Sequence, residues 1–332
     1  MGLKLLFVRF SSIGDIVLTS AAIRCAKKQI PNVEIHFLTK KSMKAVSEAN
    51  PFIDQFHYLD SNFSALIKQL KEEQFNYIID LHKNLRTLRL RLALKVPVLS
   101  YNKANVAKFM LTKVGVNWMP NRHIVLRNVD TLAPLGVKYD GMGLDYFIPS
   151  DTIQPIIPED FQQKYIAFVI GATYFTKKMP TDKIIELLSM IDDKVVLIGG
   201  KAEESEGNEI AQKYPNKVWN SCGKFNLHQS AMLVENANLV IAHDTGLMHI
   251  ACAFSKDLIM LWGGTAPPLQ FYPFFPESKN PYLYNARVEG LSCQPCSHFG
   301  LKKCPKGHFK CMQLQDLPLI ASKIKAFLNN LQ

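Results

Sequence analysis

The sequence predicts an α/β protein made of two parallel-sheet units joined by a linker. Three observations carry that expectation. Short apolar runs alternate with amphipathic segments along the chain, the rhythm of repeated β-α units whose sheet is covered by helices on both faces. The 332 residues exceed one ordinary core. Around residues 136–164 the rhythm lapses into a stretch holding Gly136, Gly141, Gly143, Pro149, Pro155 and Pro158, the composition of a boundary crossed by few contacts. The expected units are residues 1–150 and 151–332, with ligands in the cleft between them.

Hydrophobic residues make up 48% of the chain and mean hydropathy is near zero, as in folded soluble proteins. No apolar run has the length that spans a bilayer, and charge at Lys4 and Arg9 interrupts the opening too early for a secretory signal. A cytoplasmic protein is expected. The net charge of +11 points to acidic partners, whether nucleotide phosphates, anionic lipid headgroups or nucleic acid, or simply to a solvated basic face.

In the first unit, strands are expected over 3–8, 33–38, 56–59 and 77–81, and helices over 16–28, 43–49 and 63–73. The loop after the first strand, Arg9 to Asp15, enters a helix whose first turn holds Asp15. That acid either answers the helix dipole or projects into the crevice to take a proton from a hydroxyl. Only Gly14 stands where a dinucleotide fingerprint needs three glycines, which weakens a dehydrogenase reading. A basic helix follows at 84–94, where Arg86, Arg89 and Arg91 alternate with leucines between Lys83 and Lys95. Lys103, Lys108 and Lys113 come next, among Phe109, Met110, Leu111 and Trp118. This is either a core stripe with a solvated face or a surface for an anionic membrane or a phosphorylated acceptor. No recognised module or set of stacking aromatics accompanies the charge, so nucleic acid is not an expected partner.

In the second unit, strands are expected over 165–170, 194–198, 217–219 and 239–242. Helices are expected over 183–190, capped by Thr181 or Asp182, and over 227–237, with a polar helix around Glu203, Glu204, Glu206 and Glu209. The segment 239–253 reads as a buried strand, a turn at His243-Asp244-Thr245-Gly246, and a helix. The free N–H groups at such a helix start favour a phosphate, unless Asp244 or Thr245 caps them. Lys177 and Lys178, in the loop after the 165–170 strand, either neutralise phosphate oxygens or are simply solvated, and Lys177 is expected to be exposed. Glu203 is either a first-turn helix acid or an acceptor for ribose hydroxyls.

Several stretches carry a resemblance. They are Ser11-Ser12-Ile13-Gly14-Asp15-Ile16-Val17, Asp80-Leu81, Leu132-Ala133-Pro134-Leu135-Gly136-Val137, Lys177-Lys178-Met179-Pro180 and Asp244-Thr245-Gly246-Leu247-Met248-His249-Ile250-Ala251. With Cys293-Gln294-Pro295-Cys296 through Gly307-His308 to Cys311-Met312, they resemble glycosyltransferase family 9, the ADP-heptose:lipopolysaccharide heptosyltransferases, in the family's order. The resemblance implies a GT-B fold of two Rossmann-like domains, the first binding acceptor and the second nucleotide sugar. It implies an inverting transferase with no metal and no cofactor beyond its co-substrate, ADP-heptose. Asp15 is then the general base, and Lys177 meets donor phosphate, with Lys178 a second charge beside it and Met179 where the family usually has tryptophan. Asp244, Thr245, Gly246, Leu247 and His249 line the pyrophosphate and Glu203 the ribose, while Ser12, Gly14, Lys83 and Arg86 face the acceptor. The implied partners are the nucleotide sugar, the lipid A and core oligosaccharide acceptor, and an anionic membrane surface. A monomer peripheral to the inner face of the cytoplasmic membrane is expected, with a C-terminal helix free to pack back on the first domain. Rival readings are a UDP- or GDP-sugar transferase and a non-catalytic nucleotide-binding protein on the same scaffold.

Cys25, Cys222 and Cys252 are expected to be buried thiols. Cys293, Cys296, Cys304 and Cys311 cluster near His298 and His308. One C-x-x-C pair is present but the second pair is too widely spaced for an ordinary zinc ribbon, so the expectation is a structural loop, with structural zinc the lesser reading. Disulfides are disfavoured in a reducing cytosol.

Overall fold

Buried strands rich in Leu, Ile, Val and Phe organise the chain into two all-parallel sheets, in a computed structural model that describes residues 2–329. The first half runs β1 (Lys4–Val8), α1 (Ile13–Val17), α2 (Ser20–Gln29), β2 (Glu34–Lys40), β3 (Gln55–Leu59), α3 (Phe63–Glu72), β4 (Tyr77–Asp80), α4 (Leu85–Leu94), β5 (Val98–Ser100), α5 (Asn105–Phe109) and α6 (Ile124–Asp130). The second runs β6 (Ile166–Val169), α7 (Thr181–Ser189), β7 (Val195–Ile198), α8 (Glu204–Lys213), β8 (Val218–Asn220), α9 (Leu227–Asn236), β9 (Leu239–His243), α10 (Gly246–Ala253), β10 (Leu258–Leu261), β11 (Leu283–Ala286), α11 (Lys310–Gln313) and α12 (Leu317–Asn329).

Strand order is β3-β2-β1-β4-β5 in the first sheet and β11-β10-β9-β6-β7-β8 in the second. Each order reverses direction once, between β1 and β4 and between β9 and β6, and such a switch point opens a crevice at the strands' carboxyl ends. The segments that follow β1, β6 and β9 carry Asp15, in the first turn of α1, Lys177 and Asp244.

The structure differs from the sequence expectation in several places, one being the helix expected over 43–49, which is a 3-10 helix at Lys41–Val46. The helix expected over 16–28 is two helices, because the backbone N–H and hydroxyl of Thr19 both turn back onto the Ile16 carbonyl, at 2.9 and 2.7 Å. Strands β5, β10 and β11 were not expected. The stretch around 136–164 is not a boundary crossed by few contacts: Val137, Leu144, Tyr146 and Phe161 are buried in one core that runs from Leu5 and Phe7 to Val240 and Met260. Arg24 of α2 fastens it further, with Nε 2.8 Å from Asp140 Oδ2, an ion pair to Asp145, and a 2.9 Å bond to the Gly143 carbonyl. The C-terminal helix α12 packs within the second unit. Its apolar residues Leu317, Ile320, Ala321, Ile324 and Phe327, spaced to lie on one helical face, join Ile184, Leu187 and Leu188 in that unit's own core.

Candidate active site

The site begins where β1 ends. Arg9 follows the strand, and its guanidinium is held by the carbonyls of Ser11, at 3.0 Å, and Leu81. Ser12 stands at the cap position of α1 and Asp15 in its first turn. One carboxylate oxygen of Asp15 accepts from the Ser12 N–H at 3.0 Å and the Ser12 hydroxyl at 2.8 Å. The other lies 2.5 Å from Arg9 Nη2. Burial works against the charged form, but Arg9 and the two Ser12 donors outweigh it and bring the carboxyl down to about 2. The side chain keeps 27% of its surface open, enough to meet a substrate.

Across the gap, β9 runs into Asp244 and Thr245, and α10 starts at Gly246. Neither residue that was able to cap this helix does so. Asp244 Oδ2 is 2.8 Å from Lys177 Nζ, which also donates to the Asp244 carbonyl at 3.0 Å. Thr245 occupies the cap position without a side-chain bond to the helix, and its Oγ1 is buried with no partner. Burial raises the Asp244 carboxyl, yet Lys177 outweighs this and holds it below the usual range. Lys177, expected to be exposed, retains only 15% of its side-chain surface, because the 175–177 turn tucks it under the β9 loop.

Lys178 points elsewhere. Its Nζ lies 2.7 Å from Glu206 Oε2 and 3.3 Å from Glu203 Oε1. Glu203 also accepts from the Gly200 N–H at 3.0 Å, so it serves its own helix start and Lys178, and both its oxygens are engaged. Thr181 does not cap α7; its hydroxyl donates to Glu206 at 2.9 Å.

The two units meet at α1 and α10. A Cβ on Gly14 would lie 2.6 Å from His249 Cδ2, and one on Gly246 would lie 2.6 Å from Ile13 Cγ2. Gly14 is therefore turned against α10 rather than toward an acceptor, and its smallness lets the helices touch. His249 is 4% exposed, and burial pushes its imidazole down to about 4, so it is neutral. Its Nδ1 is buried without a partner. Leu247 is half-buried and packs on the shared core.

The basic residues divide. Lys83 and Arg86 are exposed, and Lys83 Nζ makes only a long 3.5 Å contact with the Tyr101 carbonyl. Asp80 shapes the turn before them, its Oδ1 accepting from the N–H groups of His82 and Lys83 at 3.0 and 2.7 Å. Arg9, Tyr101, Lys108 and Arg127 also border the site. Of these Arg9 had a sequence signal in its place immediately after the first strand, and Lys108 one in the basic stretch 103–113; Tyr101 and Arg127 had none.

Cys293, Cys296, Cys304 and Cys311 are all free and border a small cavity with His308. Cys293 Sγ is 3.9 Å from His308 Nε2. The four thiols face this cavity, but no three of their sulfurs lie within 4.8 Å of one another. Among the described residues, the group of potential ligands whose atoms lie within 4.8 Å of one another is His36, His57 and Glu73. Those are joined by internal bonds, including His36 Nδ1 to His57 Nε2 at 2.8 Å. The cysteine loop braces the lysine loop: Leu301 N–H donates to Thr176 Oγ1 at 2.8 Å, and Thr176 N–H to the Leu301 carbonyl at 3.1 Å. Cys25, Cys222 and Cys252 are buried.

Comparison with known proteins shows the family and the fold. The family described as glycosyltransferase family 9 (heptosyltransferase) matches residues 63–302. Lipooligosaccharide heptosyltransferase 2 of Haemophilus influenzae is 25% identical over 293 residues, covering 80% of this chain and 84% of that one. A glycosyltransferase family 9 structure from Veillonella parvula superposes with a TM-score of 0.75 at 18% identity, covering 99% of this chain and 98% of that one. E. coli ADP-heptose lps heptosyltransferase II superposes with a TM-score of 0.70, also at 18% identity, covering 99% of both chains. The fold is GT-B, two Rossmann-like units facing each other.

Proposed function

Because the chain belongs to glycosyltransferase family 9 and is a glycosyltransferase, we propose that it moves a heptose from ADP-heptose to the inner core of lipopolysaccharide. In this reading it acts with inversion, without a metal, as a monomer at the inner face of the cytoplasmic membrane. One observation carries it: α1, which bears Asp15, touches the start of α10, where Lys177, Asp244 and Thr245 gather. Displacement at an anomeric carbon needs a base on one side and anion stabilisation on the other, and the two units supply one each.

Asp15 takes the proton of the attacking hydroxyl. At about 2 its carboxyl is ionised at any working pH but weakly basic; an acceptor hydroxyl that displaces a Ser12 donor raises its basicity as it binds. On the far side, charge collects on the leaving diphosphate. Lys177, shared between Asp244 and that group, stabilises it together with the N–H groups at Thr245 and Gly246 and the unpartnered Thr245 hydroxyl. One well-placed donor of this kind is worth about 3 to 4 kcal/mol. His249, neutral, orients the phosphate through its ring N–H. Lys178 and Glu203, paired with each other, form the wall of the ribose side.

Membrane contact falls to the first unit. No described helix is long and apolar enough to cross a membrane. Leu85, Leu88 and Leu92 of α4 are 79%, 44% and 67% exposed, interleaved with Arg86, Arg89 and Arg91, which suits an anionic bilayer surface.

The test is transfer from ADP-heptose to a heptose-free core acceptor in the presence of EDTA, with the product's anomeric configuration read by NMR. Product of inverted configuration supports the reading. Transfer from UDP- or GDP-sugars alone overturns the donor, loss of activity with EDTA overturns metal independence, and full activity of Asp15→Asn overturns the base.

A further inference from the structure

Toward the amino ends of the first sheet's strands, two histidines and a glutamate meet inside the core. They sit beside Lys4 and Glu34, the first residues of β1 and β2, whereas Asp15 lies beyond the carboxyl end of β1. His36 of β2 stands opposite Gln55 of β3, and His57 is two residues further along, so both rings point to the same face of the sheet. Both are fully buried, stacked with ring centres 5.0 Å apart, and each meets the Phe75 ring edge-on. Glu73, just past the end of α3, brings its Oε2 to 4.0 Å from His36 Nδ1. Among the described residues, these three supply potential ligand atoms that all lie within 4.8 Å of one another.

The surrounding bonds aim lone pairs into the group. Glu34 Oε1 lies 2.7 Å from His36 Nε2. An ionised carboxylate only accepts, which assigns the proton of a neutral His36 to Nε2 and leaves Nδ1 bare. That is how a carboxylate orients a metal-ligating imidazole. Gln55 Nε2 donates to Glu73 Oε1 at 3.0 Å and so leaves Oε2 free to face the rings. His36 Nδ1 lies 2.8 Å from His57 Nε2, yet His57 Nδ1 is buried without a partner. Internal hydrogen bonding therefore leaves the group one polar atom short, a cost in an apolar core. Charge is unbalanced too: among the described residues, Glu34 and Glu73 share Lys4, at 3.2 and 3.3 Å.

We propose that His36, His57 and Glu73 bind a divalent ion of the zinc class, which clamps β2, β3 and the end of α3 together. Two imidazoles and a carboxylate, with water in the fourth position, suit zinc, and nitrogen donors disfavour calcium and magnesium. The facing nitrogens, 2.8 Å apart, need part only to about 3.3 Å to share a tetrahedral ion at ordinary bond lengths. Glu73 and Lys4 are half-buried, so the ion enters past Glu73 while Lys4 keeps its pairing with Glu34. The clamp is structural, remote from the cleft, and independent of the transferase reading.

The test is zinc titration of EDTA-stripped protein carrying Cys293→Ser and Cys296→Ser, so that the cysteine loop cannot supply the ligands. Zinc about a hundredfold above its Kd should raise the melting temperature by about 3 °C or more, with one ion bound per chain by calorimetry. No binding overturns the site. Glu73→Gln, which keeps its shape at a partly open position, should abolish the rise, and so should His57→Phe. An equal rise in Glu73→Gln overturns the assignment even if His57→Phe fails to fold. Transfer measured below both melting points should be the same with and without zinc; a change there overturns the structural role. Zinc binding as described in a protein that transfers no heptose supports the clamp and overturns the proposed function.

Discussion

The two faces of the cleft treat positive charge in opposite ways. On the second unit every site lysine has a carboxylate: Lys177 is paired with Asp244, and Lys178 with Glu206 and Glu203. On the first unit, Lys103 and Lys108 lie near Asp15 and Arg127 nearer Asp130, yet of these three and Arg9 only Arg9 is ion-paired to a carboxylate among the described residues. A neutralised pocket can hold its shape empty, exchanging an internal carboxylate for a phosphate when the donor arrives. A pocket with surplus buried cations is under electrostatic stress until an anion enters it. On the proposed function, the difference separates a prebuilt donor side from an acceptor side that is charged before its ligand arrives.

The largest effect that sharpens this contrast is at its single matched point. Asp15→Asn keeps the shape and removes both the proposed base and the carboxylate partner of Arg9. Turnover should fall about 10²- to 10⁴-fold, measured with saturating donor and acceptor, while ADP binding measured by calorimetry stays within about twofold because the diphosphate pocket lies on the other unit. Weakened ADP binding breaks the division of labour between the faces.

Stability gives the next. Burial, with Arg127 and Lys103 beside it, pushes the Lys108 ammonium down to about 8 from 10.5. Below pH 8 the residue is charged both folded and unfolded and its penalty is fully present. From about pH 8 to 10.5 the unfolded chain binds more protons, so stability rises with pH. Lys108→Met should therefore stabilise the free protein at pH 7 by about 3 kcal/mol and flatten that rise, in urea unfolding at a series of pH values. A variant less stable than the wild type shows that the cation is matched after all.

How much of this was legible beforehand depends on what each feature is made of. Strands β1, β6 and β9 are unbroken apolar runs ended by small or polar residues, so the sequence exposes them and the loops behind them; Asp15, Lys177 and Asp244 are found because they stand at strand ends. Strand β5 has three residues after Pro97, too few for any period to register. Strand β10 did have a signal, the run Leu258 to Trp262. The stretch around 136–164 misleads because glycines and prolines mark turns without saying whether Val137, Leu144 and Tyr146 between them are buried. The pairing of charges is the least legible of all. Lys177 and Lys178 are adjacent and identical in type, yet meet different carboxylates 67 and 25 or 28 residues away.

The contact that keeps the two faces in register can be strained by one methyl group. At Gly14 a Cβ would lie 2.6 Å from His249 Cδ2 and 3.5 Å from Gly246 Cα. The imidazole cannot retreat easily, since it is buried within α10 against the shared core. Gly14→Ala should therefore force α1 and α10 apart by a few tenths of an ångström and cost about 1 to 3 kcal/mol, the range for overpacking. Because Asp15 rides on α1, the same shift moves it away from Lys177 and Asp244, and on the proposed function kcat should fall. Pairing Gly14→Ala with His249→Ala removes the ring that the methyl meets. Recovery of stability in the pair, read as a double-mutant cycle in urea, shows that the clash is with that ring; additive losses place the cost in the helix itself.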